Sequence, residues 1–174
     1  VLLLIKLLFF MKRNELKEAF KNRKRLFGGW ISYDHSAIVE TFALSGFDFI
    51  AIDMEHTSIS LSSAQRIITI SQGHNIPCLP RPVSHSNDYF KPILDLGSDG
   101  LIVQMVNNYA QTETISKFIK YPPLGNRTYG VNRAHCYGLD FDGYIKNWNK
   151  ESILIIQIES KDGVDNIEEI TSHP

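Results

Sequence analysis

The sequence predicts an α/β protein built around a parallel sheet, and two observations carry this prediction. Apolar segments suited to buried strands begin at five places, and a helical pattern follows most of them: near Leu26, Phe47, Ile76, Gly100 and Ile153. Alternating strands and helices are typical of βαβ units, whose strands run parallel. The segments are also apolar almost without a break, as expected of strands that are covered on both faces.

The overall composition is that of an ordinary globular domain. The chain has 174 residues, 43% of them hydrophobic, and a formal net charge of −1, so one domain with a substantial core is expected. Without concentrated Lys and Arg, neither nucleic acid nor an anionic membrane is expected as a partner. Cys78 and Cys136 are far apart in sequence, which argues against a zinc site or a disulfide framework. Reduced thiols then predict a cytoplasmic protein.

The first ten residues, VLLLIKLLFF, are set apart by their composition. This run is too short to cross a bilayer, which needs about 20 residues. It also has no charged segment before it and no small-residue cleavage site after it, as a signal peptide would. We expect residues 1–10 to be a non-native upstream extension, with Met11 as the natural start and 11–174 as the domain. An interfacial anchor is the alternative.

The amino-terminal half predicts three helices. A short polar helix is expected over 14–24, and the first crossover helix over 36–45, with Gly46 as its stop. The second crossover helix begins near Ser60, since apolar residues follow it at helical spacing, and it ends near Gly73.

The remaining helices are predicted with one complication. The third crossover helix covers about 86–97, where Pro92 predicts a kink or a late start because its ring clashes with the preceding turn. The fourth covers about 110–119, and a last helix about 162–170. Between them, 121–150 has turn chemistry and predicts a long loop, with a short sixth strand near 129–132.

Acidic and basic side chains follow the second predicted strand. Asp53, Glu55 and His56 stand at its carboxyl end, where α/β folds place their active sites. A carboxylate beside an imidazole can fix its tautomer and raise its basicity, as in general-base catalysis. The alternative is a helix-entry loop with solvated acids.

Two further strand ends carry polar groups. Arg81, between two prolines, suits a carboxylate ligand that accepts two parallel hydrogen bonds; a structural salt bridge to Asp53 or Glu55 is the alternative, and both roles are compatible. Gln157 and Glu159 are two residues apart and therefore share a strand face. An inward-facing Glu159 would be a ligand for Mg²⁺ or Mn²⁺, whereas an exposed carboxylate is the plainer interpretation.

Asp95 and Arg127 are weaker candidates. Asp95 is expected to cap a helix or form a local pair, or to contact the side chains that form the site. Arg127 is expected either to steer an anionic substrate or to form a salt bridge. Nucleotide chemistry has no support, because neither a Gly-x-Gly-x-x-Gly turn nor a Gly-x-x-x-x-Gly-Lys-Ser/Thr loop is present.

The order of these motifs resembles the HpcH/HpaI family of class II pyruvate aldolases, which includes 4-hydroxy-2-oxoheptanedioate and 2-keto-3-deoxy sugar-acid aldolases. The similar segments are 45–49, 52–56, 81–82, 93–100, 105–107, 121–127 and 157–159. The resemblance implies a (β/α)₈ TIM barrel, here truncated at its carboxyl end to about six strands. It also implies cleavage of 4-hydroxy-2-oxo acids to pyruvate and an aldehyde, a divalent cation (Mg²⁺ or Mn²⁺, with Co²⁺ as an alternative), and a homo-oligomer, a hexamer in similar proteins.

Carried over by motif, the resemblance gives His56 the role of catalytic base, assisted by Asp53. Arg81 would bind the substrate and stabilise the pyruvate enolate, and Glu159 would hold the metal. The other matched residues would lie close by, Gln157 against the substrate and two carboxylates in supporting roles: Glu55 and Asp95.

The chain departs from the family pattern in several respects, among them Arg127-Thr128 where the family has Arg-Gly, and two alternatives stay open. The family's second metal carboxylate would lie beyond Pro174, and Gln104 stands where a proline is common. A lyase acting on acyl-CoA esters, like the citrate lyase β-chain, is one alternative, although basic residues for a nucleotide phosphate are not evident. An inactive truncated barrel retained for subunit association is the other.

Overall fold

A computed structural model describes residues 13–173 and has a mixed α/β fold. The predicted extension, 1–10, and the proposed start at Met11 lie outside the described residues. Within the described part, no helix is both long enough and apolar enough to span a membrane.

Helices and strands alternate through most of the chain. The strands are β1 (Gly28–Ile31), β2 (Phe49–Asp53), β3 (Cys78–Arg81), β4 (Gly100–Val103) and β5 (Ile153–Ile156). The helices are α1 (13–21), α2 (Ser36–Leu44), α3 (Leu61–Gly73), α4 (Asn87–Asp95), α5 (Tyr109–Ile119), α6 (Phe141–Glu151), α7 (Lys161–Asp165) and α8 (Ile167–Thr171), with a 3₁₀ segment at Arg133–Gly138.

The strands pair in parallel and in chain order. β1, β2 and β3 form one sheet, and β4 pairs with β5. A hydrogen bond of 3.0 Å from the Asp99 amide to the Cys78 carbonyl joins the beginnings of β4 and β3. The parallel sheet of the sequence prediction is therefore confirmed. The described residues form five strands rather than six, and they do not form a closed barrel.

The two faces of the strands pack differently. Alternate residues of the strands point to a small apolar cluster shared with α1, and we call this side the inner face: Leu16, Ala51, Leu79, Ile102 and Ile153. The opposite face packs against the helices in two larger clusters. Asp53 and Arg81 are paired in register two residues beyond Ala51 and Leu79, so they continue the inner face.

Two glycines are required by the local geometry. Gly46, with a φ of +83°, ends α2 as predicted, in a conformation that L side chains rarely adopt. A Cβ on Gly100 would lie 2.0 Å from the Ile153 carbonyl oxygen, so only glycine lets β5 approach β4 this closely.

The Asp99 carboxylate joins four elements at the amino-terminal end of the strands. It accepts hydrogen bonds from the Cys78 amide at 2.9 Å and from the Gln72 side chain at 3.0 Å. The Arg13 guanidinium lies 3.3 Å from its other oxygen. The beginnings of β3 and β4 are thereby fixed to α1 and α3.

The structure corrects the prediction for residues 121–150. A 3₁₀ segment and α6 occupy much of it, and 129–132 is not a strand. Tyr129 instead stacks on Tyr121, with ring centroids 4.9 Å apart. The sequence hides α6 because its buried positions, Tyr144 and Trp148, are aromatic residues of modest helix propensity.

Two smaller corrections concern helix boundaries. α4 begins at Asn87, five residues before Pro92, so a late start is wrong; the Ser86 side chain caps it by accepting from the Asp88 amide. The predicted last helix is divided in two at Asn166.

Candidate active site

The turn after β2 is organised by Asp53. This buried carboxylate accepts, through Oδ1, the backbone amides of Glu55 and His56, both at 3.1 Å. The Thr57 hydroxyl closes the turn on the Asp53 carbonyl. The turn therefore places the Glu55 and His56 side chains just beyond the carboxyl end of β2.

Arg81, at the end of β3, joins the turn to the inner face. Its Nη2 lies 2.9 Å from Asp53 Oδ1, and its Nε lies 3.2 Å from Glu55 Oε2. The Trp30 ring, on β1, lies 4.7 Å from the guanidinium carbon. With a side chain that is only 9% exposed, Arg81 is fixed by two carboxylates and an aromatic face.

The pKa of Asp53 reflects this environment. Burial by itself raises the pKa of the carboxyl group, but hydrogen bonds from Arg81 and from the His56 and Glu55 amides outweigh it. The net pKa lies below its ordinary value, because these donors stabilise the ionised form. Asp53 is thus an anion at neutral pH, suited to holding Arg81.

His56 lies at the open side of the group. Its side chain is 70% exposed, and its Nε2 lies 3.5 Å from Glu55 Oε2. Asp53 contacts His56 through the backbone amide. Asp53 therefore shapes the turn, and the carboxylate beside the imidazole is Glu55. Assistance of His56 by Asp53 in catalysis stays a prediction.

The ends of β4 and β5 present a second polar group. Glu159 accepts the Met105 amide at 3.0 Å, and Met105 adopts a left-handed φ of +50°. Gln104 donates its amide to the Pro82 carbonyl at 2.9 Å, beside Arg81 in sequence. The side-chain oxygens of Gln104 and Gln157 are buried without a hydrogen-bond partner in the described part of the chain.

The donors at these two strand ends suit only part of a cation site. The Glu159 carboxylate and the unpaired Gln157 amide oxygen are the hard oxygen ligands that Mg²⁺ and Mn²⁺ prefer. Among residues 13–173, however, no group of three His, Cys, Asp or Glu side chains could hold a metal ion.

Asp95 is located in the helix layer, at the end of α4. Its Oδ1 lies 3.0 Å from Nη2 of Arg127, whose side chain is fully buried. Of the two sequence interpretations of Arg127, the structure shows the salt bridge. A supporting role of Asp95 in the site stays a prediction.

Sequence reasoning missed Trp30 as a partner of Arg81. The contact depends on the register in which β1 lies beside β2, with Trp30 opposite Ala51. An aromatic residue near the carboxyl end of the first strand was the available signal, but the strand pairing was needed to place it.

Comparison with known proteins identifies the family. A statistical description of the HpcH/HpaI aldolase/citrate lyase family matches residues 26–174. The chain belongs to this family.

Individual members support the assignment. A 2-keto-3-deoxy-L-rhamnonate aldolase from Shigella boydii is 31% identical over 159 residues, which cover 90% of this chain and 59% of that protein. The chain thus spans about three fifths of the length of the curated relatives that it matches.

Solved structures agree with the fold. A family member from Burkholderia cenocepacia has a TM-score of 0.86 at 26% identity, covering 92% of this chain and 65% of that one. The citrate synthase SbnG has a TM-score of 0.75 at 26% identity, covering 89% and 60%.

Proposed function

We propose that the chain is part of a metal-dependent aldolase that cleaves 4-hydroxy-2-oxo acids to pyruvate and an aldehyde. The observation that carries this proposal is the group at the ends of β2 and β3, where a fixed guanidinium lies beside an imidazole and two carboxylates. The 31% identity to a 2-keto-3-deoxy-L-rhamnonate aldolase supports a sugar-acid substrate of this class.

We also propose that the five strands belong to a (β/α)₈ barrel. Parallel pairing in chain order, a polar carboxyl end and helices on the outer face support this assignment. The agreement in fold with the Burkholderia cenocepacia structure supports it further.

In this proposal, His56 accepts the proton of the substrate's C4 hydroxyl, directly or through one water. The C3–C4 bond then breaks and releases the aldehyde. The electron pair of that bond stays on C3 and is delocalised onto the C2 oxygen, which gives an enolate. His56 then returns the proton to C3, which gives pyruvate and restores the neutral imidazole. Arg81 stabilises the negative charge that develops on the oxo acid, and its fixed position removes the cost of orienting it during the reaction.

A divalent cation fits the proposal as a partner of Glu159. When bound, it would supply Lewis-acid stabilisation of the oxo acid's oxygens. Gln157 lies two residues before Glu159, just after β5, and its buried amide oxygen would contact the cation or the substrate.

The experiment is an assay of pyruvate release from 4-hydroxy-2-oxo acids by the full chain with added Mn²⁺ or Mg²⁺, and with a chelator. Activity that requires the cation and falls by about 10²–10⁴ in His56→Ala supports the proposal, since that is the usual contribution of a general base. His74→Ala, which removes an exposed imidazole at the end of α3, is the matched control and keeps its activity. A His56→Ala variant as active as the control would contradict the assignment.

A lyase or synthase acting on acyl-CoA esters is the second candidate, favoured by the likeness to the citrate synthase SbnG. It predicts thiol release from acyl-CoA in the same samples, and thiol release without pyruvate formation would select it. Homo-oligomerisation and a cytoplasmic location remain predictions, and self-association with no turnover of either substrate class would favour an inactive barrel retained for assembly.

A further inference from the structure

One carboxylate oxygen of Glu55 lies between the two groups that the proposed reaction needs. Oε2 is 3.2 Å from Nε of Arg81 and 3.5 Å from Nε2 of His56. The Glu55 side chain is 17% exposed, far less than the imidazole beside it. Glu55 therefore connects a buried cation to an exposed ring.

We propose that Glu55 is the positioning residue for His56. Its carboxylate holds the imidazole at a fixed place relative to Arg81 and selects the tautomer with the proton on Nε2. Nδ1 is then the unprotonated nitrogen that accepts the substrate's proton. This inference rests on the proposed aldolase function for its catalytic meaning, although the ring geometry itself does not.

Asp53 is poorly placed to perform this task. Its Oδ1 already faces Nη2 of Arg81 and accepts the backbone amides of Glu55 and His56. The three donors that the structure places on this carboxylate are the Arg81 guanidinium and two backbone amides, and the His56 ring is not among them. Asp53 thus sets the path of the backbone, and the ring is left to Glu55.

The mobility of an exposed imidazole makes this contact important. A side chain that is 70% exposed samples several rotamers unless a neighbour favours one. Glu55 is a firm neighbour because Arg81 holds it, and Arg81 is itself held by Asp53 and by the Trp30 ring. A base on such a support reaches its substrate with less loss of conformational freedom.

The tautomer can be measured without any activity. Long-range ¹H–¹⁵N spectra of the full chain, labelled at histidine, report which ring nitrogen carries the proton, and a His56→Gln variant identifies the His56 signals. His85 is an internal reference for the Nε2–H tautomer, because its Nε2 lies 2.5 Å from the Gln104 carbonyl oxygen, which only accepts. We expect His56 at pH 8 to resemble His85.

Variants of Glu55 then test the connection. In Glu55→Ala, the His56 signals move to the averaged values of a free imidazole, while kcat falls about ten- to hundredfold and KM stays within about twofold. Glu55→Gln retains an acceptor oxygen, so we expect it to keep part of the Nε2–H preference of His56 and part of the wild-type kcat. Glu113→Gln, an exposed glutamate on α5, is the matched control and changes neither.

The outcomes separate this inference from the proposed function. A wild-type His56 without the Nε2–H tautomer, or one that Glu55→Ala leaves unchanged, overturns the inference even if pyruvate is released. The expected tautomer change in a protein that releases no pyruvate supports the positioning role and counts against the aldolase alone. A KM that rises as much as kcat falls would overturn the positioning role, since it would indicate lost substrate binding.

Discussion

Two buried arginines, both in contact with carboxylates and aromatic rings, lie in different regions of this molecule. Arg81 lies at the carboxyl end of the strands between Asp53 and Glu55, with the Trp30 ring on one side. Arg127 lies in the helix layer, 3.0 Å from Asp95 and within 5.6 Å of three ring centroids, those of Tyr121, Tyr144 and Trp148.

The difference between them is access. The groups around Arg81 include the His56 side chain, which is 70% exposed, and Trp30, which is 40% exposed, so a ligand can approach. The Arg127 side chain is 0% exposed, and Nη1 donates to the Tyr144 hydroxyl at 3.1 Å. The same residue types therefore form an accessible polar group at the strand ends and a buried salt bridge in the helix layer. The sequence alone does not distinguish these two environments.

The largest expected effect is on stability, from Arg127→Ala. Removal of a fully buried cation leaves Asp95 without its partner and opens a cavity among the three rings, which typically costs about 3–5 kcal/mol of unfolding free energy. Urea unfolding measures it. Arg66→Ala, which breaks an exposed pair with Asp34, is the control and should cost at most about 1 kcal/mol. Similar losses of unfolding free energy in the two variants would mean that the buried contacts of Arg127 contribute no more than an exposed salt bridge.

The next effect is on activity, from Arg81→Lys. Lysine keeps the charge but cannot face Asp53 and Glu55 with two fixed nitrogens, so we expect a loss of about 10²–10³ in kcat/KM for pyruvate release. The urea midpoint should fall less than in Arg127→Ala. A fully active Arg81→Lys would remove the guanidinium geometry from the mechanism.

The smallest effect is a pH dependence of stability centred on His135. Burial and then Arg127 lower the pKa of His135, and Asp95 only partly offsets them. The unfolded chain takes up this proton near pH 6.5, so the folded protein binds fewer protons below that pH and its unfolding free energy falls as the pH drops. Between pH 7.5 and 5.5, wild type should lose more stability than His135→Gln. Parallel losses would show that His135 is not responsible.

The strand framework could be predicted from the sequence because its signals are local. β2 and β3 are apolar runs of the expected length, Gly46 and Ser60 bound the helices around β2, and a sheet of parallel strands follows from their alternation with helices. The gathering of Asp53 and Arg81 was foreseeable for the same reason, since neighbouring parallel strands end at one edge.

Features that depend on tertiary packing could not be predicted. α6 is stabilised by burial of Tyr144 and Trp148 and by the Trp148 indole donating to the Ile119 carbonyl at 2.7 Å, none of which a helix pattern reveals. The pairing of Glu55 with His56 could not be predicted either, because the spacing of Asp53, Glu55 and His56 does not say which carboxylate lies beside the imidazole.

The Asp99 carboxylate has a consequence for motion. Since it links α1, α3 and the starts of β3 and β4, we expect this end of the sheet to open rarely. We expect motion that admits a ligand to occur at the opposite end, in the connections that follow β2 and β3. The Cys78 amide proton, sealed against this carboxylate, would accordingly be among the last to exchange with heavy water.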